Sequence, residues 1–515
     1  MKRNRSFKMA MLSLCLLMSA VAAVACTSDT TSPKDSDSSP TSSGAANTPK
    51  TETPPTVTAL IERATNFPED NLVIQEIRKQ SGINFQVDSV VNSDYENRLN
   101  TLIVSRKAPD IFKVKKAKLQ ELVDNNVIMP LDELLKSNGP RLLENRGELL
   151  KGPAYIGGKT YGIPDMWFTG NALAIRKDWL DKLGLAVPTT LDEFETMLKA
   201  FVNNDPDGNG LKDTIGLGTA IEVGQTWEQV FAAHGVPQGR YVELDGKLTP
   251  WMLAPGYLDA VKFLNKLYQE GLMDPEFATV PTLQSFEKLW NGKVGAYNFN
   301  ADGTTQNWLT RYVENPKPEF VYTFLKGPNG KGGHVNPVME DSGSYTVINK
   351  SAKNPEAAMK LLDYLVSKEG DRLTWAGVEN VHHKWNNGKF EWIPPFDDAV
   401  KLRDAGGYMY SVLINRGSQG LREELYNDIT KKGRQLVLDN TIKDAYIFGL
   451  PKVKKDRGAI LDDMEMEFRT IAITSNGNLD ALYDNFKTKF LSEGGKDLIE
   501  QATEIYKAEQ AELAK

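Results

Sequence analysis

Between Val57 and Val114, short apolar runs alternate with helical stretches, and this alternation limits the fold more than any other feature of the chain. Val57 to Ile61 is an apolar opening strand. Asn71 to Gln80 is helical, with Val73, Ile74 and Ile77 on one face and Gly82 placed to end it. Ile83, Phe85 and Val87 alternate as in a strand. Leu99, Leu102 and Ile103 mark a second helix, and Ile111 to Val114 a third strand. Strand–helix–strand–helix–strand is the pattern of a parallel, doubly wound sheet.

The pattern restarts downstream. Ala172 to Ile175 reads as a strand, and Thr190-Leu191-Asp192-Glu193 is a capping box opening a helix through Phe194, Leu198 and Phe201. Leu258, Val261, Leu264 and Tyr268 line a further helix, Tyr345 to Ile348 a strand, and Asn354 is placed to cap the helix carrying Leu361, Leu362 and Leu365. Pro, Gly and Asn break the stretch from Val381 to Pro395, and the last 35 residues are mostly helix formers. The coarse expectation is two α/β lobes with a cleft between them.

The N-terminus constrains where such a chain works. Lys2, Arg3, Arg5 and Lys8 precede a 17-residue apolar run from Met9 to Ala25. A basic start, an apolar middle and small residues before a cut site make a secretory signal. Here Ala23-Val24-Ala25 precedes Cys26. That order resembles a bacterial lipobox, in which the cysteine is acylated; the usual Leu is replaced by Ala23. An ordinary A-x-A cleavage, or an uncleaved membrane helix, are the competing readings. The chain has two cysteines, and Cys15 lies in the signal. A chain cut before Cys26 keeps one cysteine and has no internal disulfide, so a large core must hold it together.

Cleavage after residue 25 leaves 490 of the 515 residues. Residues 27–56 contain no aromatic or large aliphatic side chain, and such a Ser/Thr/Pro-rich stretch is expected to be a disordered tether of roughly 30 Å. About 460 residues then remain, which suits two large lobes better than a single core. Loss of the signal removes four positive charges, taking the net charge from −7 to −11. That balance argues against nucleic acid and against adhesion to anionic lipid.

One loop has metal-ligand spacing. Asp205-Pro206-Asp207-Gly208-Asn209-Gly210-Leu211-Lys212-Asp213 places oxygen side chains at positions 1, 3, 5 and 9, with glycine at position 6. An EF-hand loop supplies calcium ligands at this spacing, with a backbone carbonyl at position 7, here Leu211. Position 12 is Gly216, so the bidentate Glu of a full hand is missing. The expectation is a structural Ca²⁺ held by Asp205, Asp207, Asn209, Leu211 and Asp213, set against a solvated Asp/Asn/Gly turn. Catalytic signatures are missing: there is no G-x-S-x-G elbow, no H-E-x-x-H and no P-loop. His382-His383 is a weak metal pair. Aromatic residues beside amides or acids have the mixed character that sugars need. They include Trp167 beside Phe168 near Asp165, Trp227 beside Glu228, Phe299 between Asn298 and Asn300, Trp308 beside Asn307, and Trp375 near Glu379. Core packing is the competing role for each.

Taken in order, several segments resemble the extracellular solute-binding proteins of bacterial ABC importers, family 1, and most of all their alginate- and oligosaccharide-binding branch. They are Ala108-Pro109-Asp110-Ile111, Gly158-Lys159-Thr160-Tyr161-Gly162-Ile163-Pro164, Ile175 to Leu185, Pro188-Thr189-Thr190, the Asp205 loop and Gly271-Leu272-Met273-Asp274-Pro275-Glu276. The resemblance implies a two-lobed periplasmic-binding-protein-like fold with a hinge and an interlobe ligand cleft. It implies lobes of residues 57–167 with about 341–390, and of about 168–340 with about 391–515, after a signal (1–25) and a tether (26–56). It also implies hinge crossings near Asp165 to Thr169 and Glu340 to Ser344. The ligand contacts it implies are Asn66, Asp165, Trp167, Trp227, Phe299, Asn300, Asp302, Trp308, Ser342 and Trp375. Alginate-binding members carry Glu where this chain has Thr214, which removes one charged calcium ligand. The implied role is that of a monomeric, non-enzymatic receptor on the outer face of the cell membrane, anchored through lipid on Cys26. It would deliver an oligosaccharide to the transmembrane subunits of an ABC permease. An exported glycosidase or lyase, or the same fold serving a non-sugar solute, are the alternatives.

Overall fold

Asn71 shows how the local sequence builds the first unit. In the computed structural model its side-chain oxygen accepts from the amides of Val73 and Ile74, and Leu72–Ser81 is helical. Gly82, at φ 67°, ends that helix in the left-handed region. The structure describes residues 53–63, 70–168, 170–220, 227–301, 311–334, 339–417, 420–441, 447 and 449–513. The signal, Cys26 and the tether up to residue 52 lie outside them.

The strands, in chain order, are β1 (Thr56–Arg63), β2 (Asn84–Val91), β3 (Ile111–Lys115), β4 (Tyr155–Ile156), β5 (Lys159–Thr160), β6 (Ile163–Phe168), β7 (Asn171–Arg176) and β8 (Ile215–Leu217). They continue as β9 (Tyr241–Leu244), β10 (Lys247–Pro250), β11 (Val294–Asn300), β12 (Phe320–Thr323), β13 (Met339–Ile348), β14 (His383–Asn386) and β15 (Lys389–Trp392). The first sheet has the order β2-β1-β3-β13-β6, and the second β12-β7-β11-β8. β1 runs parallel to β2 and β3, as the alternation predicts. The expectation of a wholly parallel sheet fails at β13, which lies antiparallel to both β3 and β6. It returns from the second sheet, so it enters the first from the opposite end. Asp110 ties β3 to β1: one carboxylate oxygen accepts from both the amide and the hydroxyl of Thr58, each at 2.8 Å.

The chain passes between the sheets from β6 to β7, and again from β12 to β13. A third passage lies between the helices Leu421–Glu424 and Asp428–Asp439. The first of these contacts the helix Lys368–Ala376 of the first lobe, and the second packs on β12. The lobe boundary expected near 391 is therefore too early. Met409, Tyr410, Leu413 and Ile414 are buried with Val57, Ile74 and Phe85 in the first core. Composition carries no trace of that long-range packing. The second core joins Trp179, Phe194, Phe201 and Tyr257 to Phe468, Tyr483 and Phe490 from the C-terminal helices.

The capping box at Thr190 and Glu193 opens the helix Leu191–Asn203 as expected. Asn354 does not cap its helix: its side chain makes no cap bond and donates instead to the carbonyl of Thr56 at 3.0 Å. The broken stretch near 381–395 holds the hairpin β14–β15. Its turn is Asn387-Gly388, with φ 50° and 80°, the pair that a tight two-residue hairpin demands.

Asn71 also donates from its amide to the Tyr410 hydroxyl at 2.8 Å, joining the first helix to the late segment of the same lobe. Asn71→Ala removes the cap and this bond, and should lower the unfolding free energy by about 2 kcal/mol. Urea denaturation checks this; a loss below about 0.5 kcal/mol contradicts it.

Candidate functional site

The helix Lys368–Ala376 carries Asp371 and Trp375 four residues apart, on one face. Both line a hollow with Met166 of β6, Ser411, Asn415 and Tyr426. Gly417, Gly420, Arg422 and Glu423 complete its wall. Trp375 is half-buried. It meets the Tyr408 ring edge-on at 4.7 Å, and the Arg422 guanidinium lies 5.6 Å from its centre and 5.9 Å from that of Tyr426. Asp371 accepts from the Leu421 amide at 2.6 Å. Burial raises its pKa, against the opposing pull of the Leu421 and Arg416 amides. Glu423 pairs with Arg434 at 2.6 Å. The hollow thus offers an aromatic face, a cation and amide groups at the side of the first sheet where the chain passes between lobes.

A second hollow, of about 480 Å³, lies at the carboxyl ends of β1 and β3, the edge at which open α/β sheets take ligands. Glu62, Tyr95, Lys113, Lys115, Lys118 and Ser344 are among its lining residues. Lys115 donates to the Ser344 hydroxyl at 2.9 Å. Both hollows carry charged and polar side chains among their lining residues.

The expected ligand residues separate into groups. Trp375 lines the first hollow. Asp165 does not face it: the side chain is 4 % exposed, one oxygen accepts from Lys113 at 2.7 Å and the other from Asn415 at 2.6 Å. Trp227 is a core residue, 1 % exposed. Its ring meets Phe277 edge-on at 5.5 Å, and the Arg469 guanidinium lies 5.0 Å from its centre. Both expectations are corrected for the same reason: an acid or indole beside polar neighbours in sequence is turned inward by partners remote in the chain. Asn300 ends β11, half-buried, with its backbone opposite Asn171. Phe299 stands opposite Ala172, and Trp167 opposite Glu340. Ser342 lies at the irregular register between Asp341 and Tyr345 in β13. The side chains of Phe299, Trp167 and Ser342 are outside the described residues, as are Asn66, Asp302 and Trp308 altogether. Asp371, Asn415, Arg422 and Tyr426 went unrecognised in the sequence. The spacing of Asp371 and Trp375 was the available signal.

The Asp205 loop forms the turn its glycines predict. Asp205 accepts from the amides of Gly208, Asn209 and Gly210, at 3.0–3.1 Å. Its hydrogen bond with Asp207, helped by those amides, lowers its pKa. Burial, then the bond to Asp205, raises that of Asp207. The Asn209 amide nitrogen donates to Asp207 at 2.7 Å and Asp213 at 3.0 Å, and Lys293 pairs with Asp213 at 3.1 Å. Donor chemistry and spacing fit a calcium ion, since all the candidate ligands are oxygens. Turning the Asn209 amide over would present its oxygen between the two carboxylates. In the conformation seen, no three carboxylate or imidazole side chains converge on one point among the described residues. His382 and His383 form no metal pair: the first accepts from the Val378 amide at 2.8 Å, and the second lies 3.1 Å from the Ala376 carbonyl.

The profile of the bacterial extracellular solute-binding proteins matches residues 63–372, more than half of the chain. The protein belongs to that family. Its activity is solute binding, not catalysis, and family membership supports a location outside the cytoplasm. Lipoprotein LipO of Bacillus subtilis (strain 168) is 27 % identical over 455 residues, 84 % of this chain and 88 % of that one. The polygalacturonan/rhamnogalacturonan-binding protein YtcQ of the same organism is 25 % identical over 460 residues, 85 % and 89 % of the two chains. The fold is shared with the Streptococcus pneumoniae ABC-transporter substrate-binding protein FusA in complex with kestose. That likeness has a TM-score of 0.63 at 22 % identity, covering 89 % of this chain and 100 % of the other. An EF-hand mutant of FusA, bound to fructo-nystose, matches with a TM-score of 0.64, at the same identity and coverage.

Burial separates the two tryptophans energetically. Trp227→Ala should cost about 3–5 kcal/mol of stability, and Trp375→Ala at most about half of that. Chemical unfolding of the two variants checks this; equal losses would overturn the assignment of Trp227 to core and Trp375 to site.

Proposed function

We propose that this protein captures an oligosaccharide between its lobes and delivers it to the transmembrane subunits of an ABC permease. The observation that carries the reading is the hollow where Trp375, Tyr426 and Arg422 meet Asn415 and Ser411 beside the passages between lobes. Sugar rings pack their C–H faces on aromatic planes, while their hydroxyls need amides and charged groups. The likeness to YtcQ, a polygalacturonan/rhamnogalacturonan-binding protein, and to FusA, a fructooligosaccharide substrate-binding protein, supports the same class.

The solute binds one lobe of the open form, and rotation about the hinge brings up the other. It shifts the open–closed balance only through its preference for the closed state. No bond is broken. The protein acts as a monomer. Residues 1–25 direct export, Cys26 carries the lipid, and residues 26–56 tether the folded body above the outer face of the membrane. Its likeness to LipO supports the anchor.

Ca²⁺ is held by the side chains of Asp205, Asp207, Asn209 and Asp213 and by the Leu211 carbonyl, and its role is structural. Bound there, it would neutralise the loop's carboxylates in place of their mutual hydrogen bonds. The FusA EF-hand supports this by likeness.

Thermal unfolding against fructo-oligosaccharides and galacturonate oligomers, each with and without EDTA, tests both readings. A binder at 100 times its Kd adds about 2.7 kcal/mol, and Trp375→Ala should weaken affinity at least tenfold. A shift with a non-sugar solute and none with any sugar would refute the sugar reading. Indifference to EDTA and to added Ca²⁺ would refute the metal alone. Cys26→Ser should move the expressed protein from the membrane fraction to the soluble fraction; retention in the membrane contradicts the lipid anchor.

A further inference from the structure

The segment from Tyr408 to Gly417 has two sides. One side faces the Trp375 hollow, through Ser411, Asn415 and Gly417, and Tyr408 braces the Trp375 ring. The other side is fastened to the first sheet. From β3, Lys113 donates to the Val412 carbonyl at 2.6 Å and to Asp165 at 2.7 Å. From β13, the Thr346 hydroxyl donates to the Leu413 carbonyl at 2.5 Å. Asn415 reaches back to Asp165 at 2.6 Å. Beneath them Arg146, 2 % exposed, donates to the carbonyls of Pro164 at 2.9 Å and Asn415 at 2.6 Å. Burial of this guanidinium lowers its pKa to about 10. Lys113 lines the larger hollow and Asn415 the smaller, so Asp165 joins the two.

A buried ion pair is a weak source of stability, because desolvation offsets most of its attraction. Charged hydrogen bonds are directional, however, and they fix the position of what they hold. We propose that Asp165, paired with Lys113, is a positioning residue for solute binding: it touches no ligand, but sets the placement of residues 408–417 and so of Asn415 and Trp375. This inference rests on the reading of the Trp375 hollow as the solute site.

The test uses the full chain labelled with 5-fluorotryptophan, with the Trp375 resonance assigned by Trp375→Phe. In the solute-free protein, Asp165→Leu should shift the Trp375 resonance and leave those of the second-lobe residues Trp179 and Trp251 in place. Affinity for kestose or a galacturonate trimer, whichever binds, should fall at least tenfold. Asp165→Asn keeps an acceptor for Asn415 and should recover most of that loss. Asn415→Leu should weaken binding similarly, and the double variant Asp165→Leu/Asn415→Leu no further, because both act through one network. An unmoved Trp375 resonance, native affinity in Asp165→Leu, or additive losses would overturn the proposal. If Asp165→Leu fails to fold, Asn415→Leu carries the resonance and affinity tests. If the wild type binds neither sugar, the site reading is refuted, while the solute-free resonance still decides the positioning role.

Discussion

The return of β13 into the first sheet, antiparallel between β3 and β6, is the constraint on which the rest depends. β6 leaves that sheet for the second lobe, and β13 comes back from it. Two adjacent strands therefore carry the chain between lobes, and backbone hydrogen bonds hold them side by side. A third passage, after Leu421–Glu424, adds another connection. The segment before it packs in the first core through Met409, Tyr410, Leu413 and Ile414, and that packing brings it alongside the Trp375 hollow.

Local order was legible wherever the decisive partners were neighbours in the chain. The helix that begins at Asn71, its stop at Gly82 and the box at Thr190 and Glu193 depend on groups within a few residues. The turn of the Asp205 loop is equally local. The Asn387-Gly388 pair is a two-residue hairpin signal in the sequence, but within the run of Asn, Gly and Pro from Val381 to Pro395 it reads only as a break. Asn354 looked like a cap, but its side chain bonds to Thr56 in the neighbouring strand.

The site was less legible, because its logic is long-range. Asp165 beside Trp167 looks like a sugar contact, yet its carboxylate is taken by Lys113 and Asn415, which lie 52 and 250 residues away in sequence. Trp227 beside Glu228 has the same composition as a binding platform and is buried against Phe277 and Arg469. Trp375 differs because helix geometry places it with Asp371 on the face that lines the hollow. The family likeness predicted the two-lobed α/β fold correctly, whereas the roles of single residues depend on partners that sequence order conceals.

Closure of the lobes on a bound oligosaccharide, as proposed, would make the molecule more compact. Small-angle X-ray scattering of the purified protein, with and without saturating kestose or galacturonate trimer, measures it most directly. Closure gives a smaller radius of gyration with one of these sugars, reversed when the sugar is removed by dialysis. Tight binding with no change in the scattering profile would contradict it.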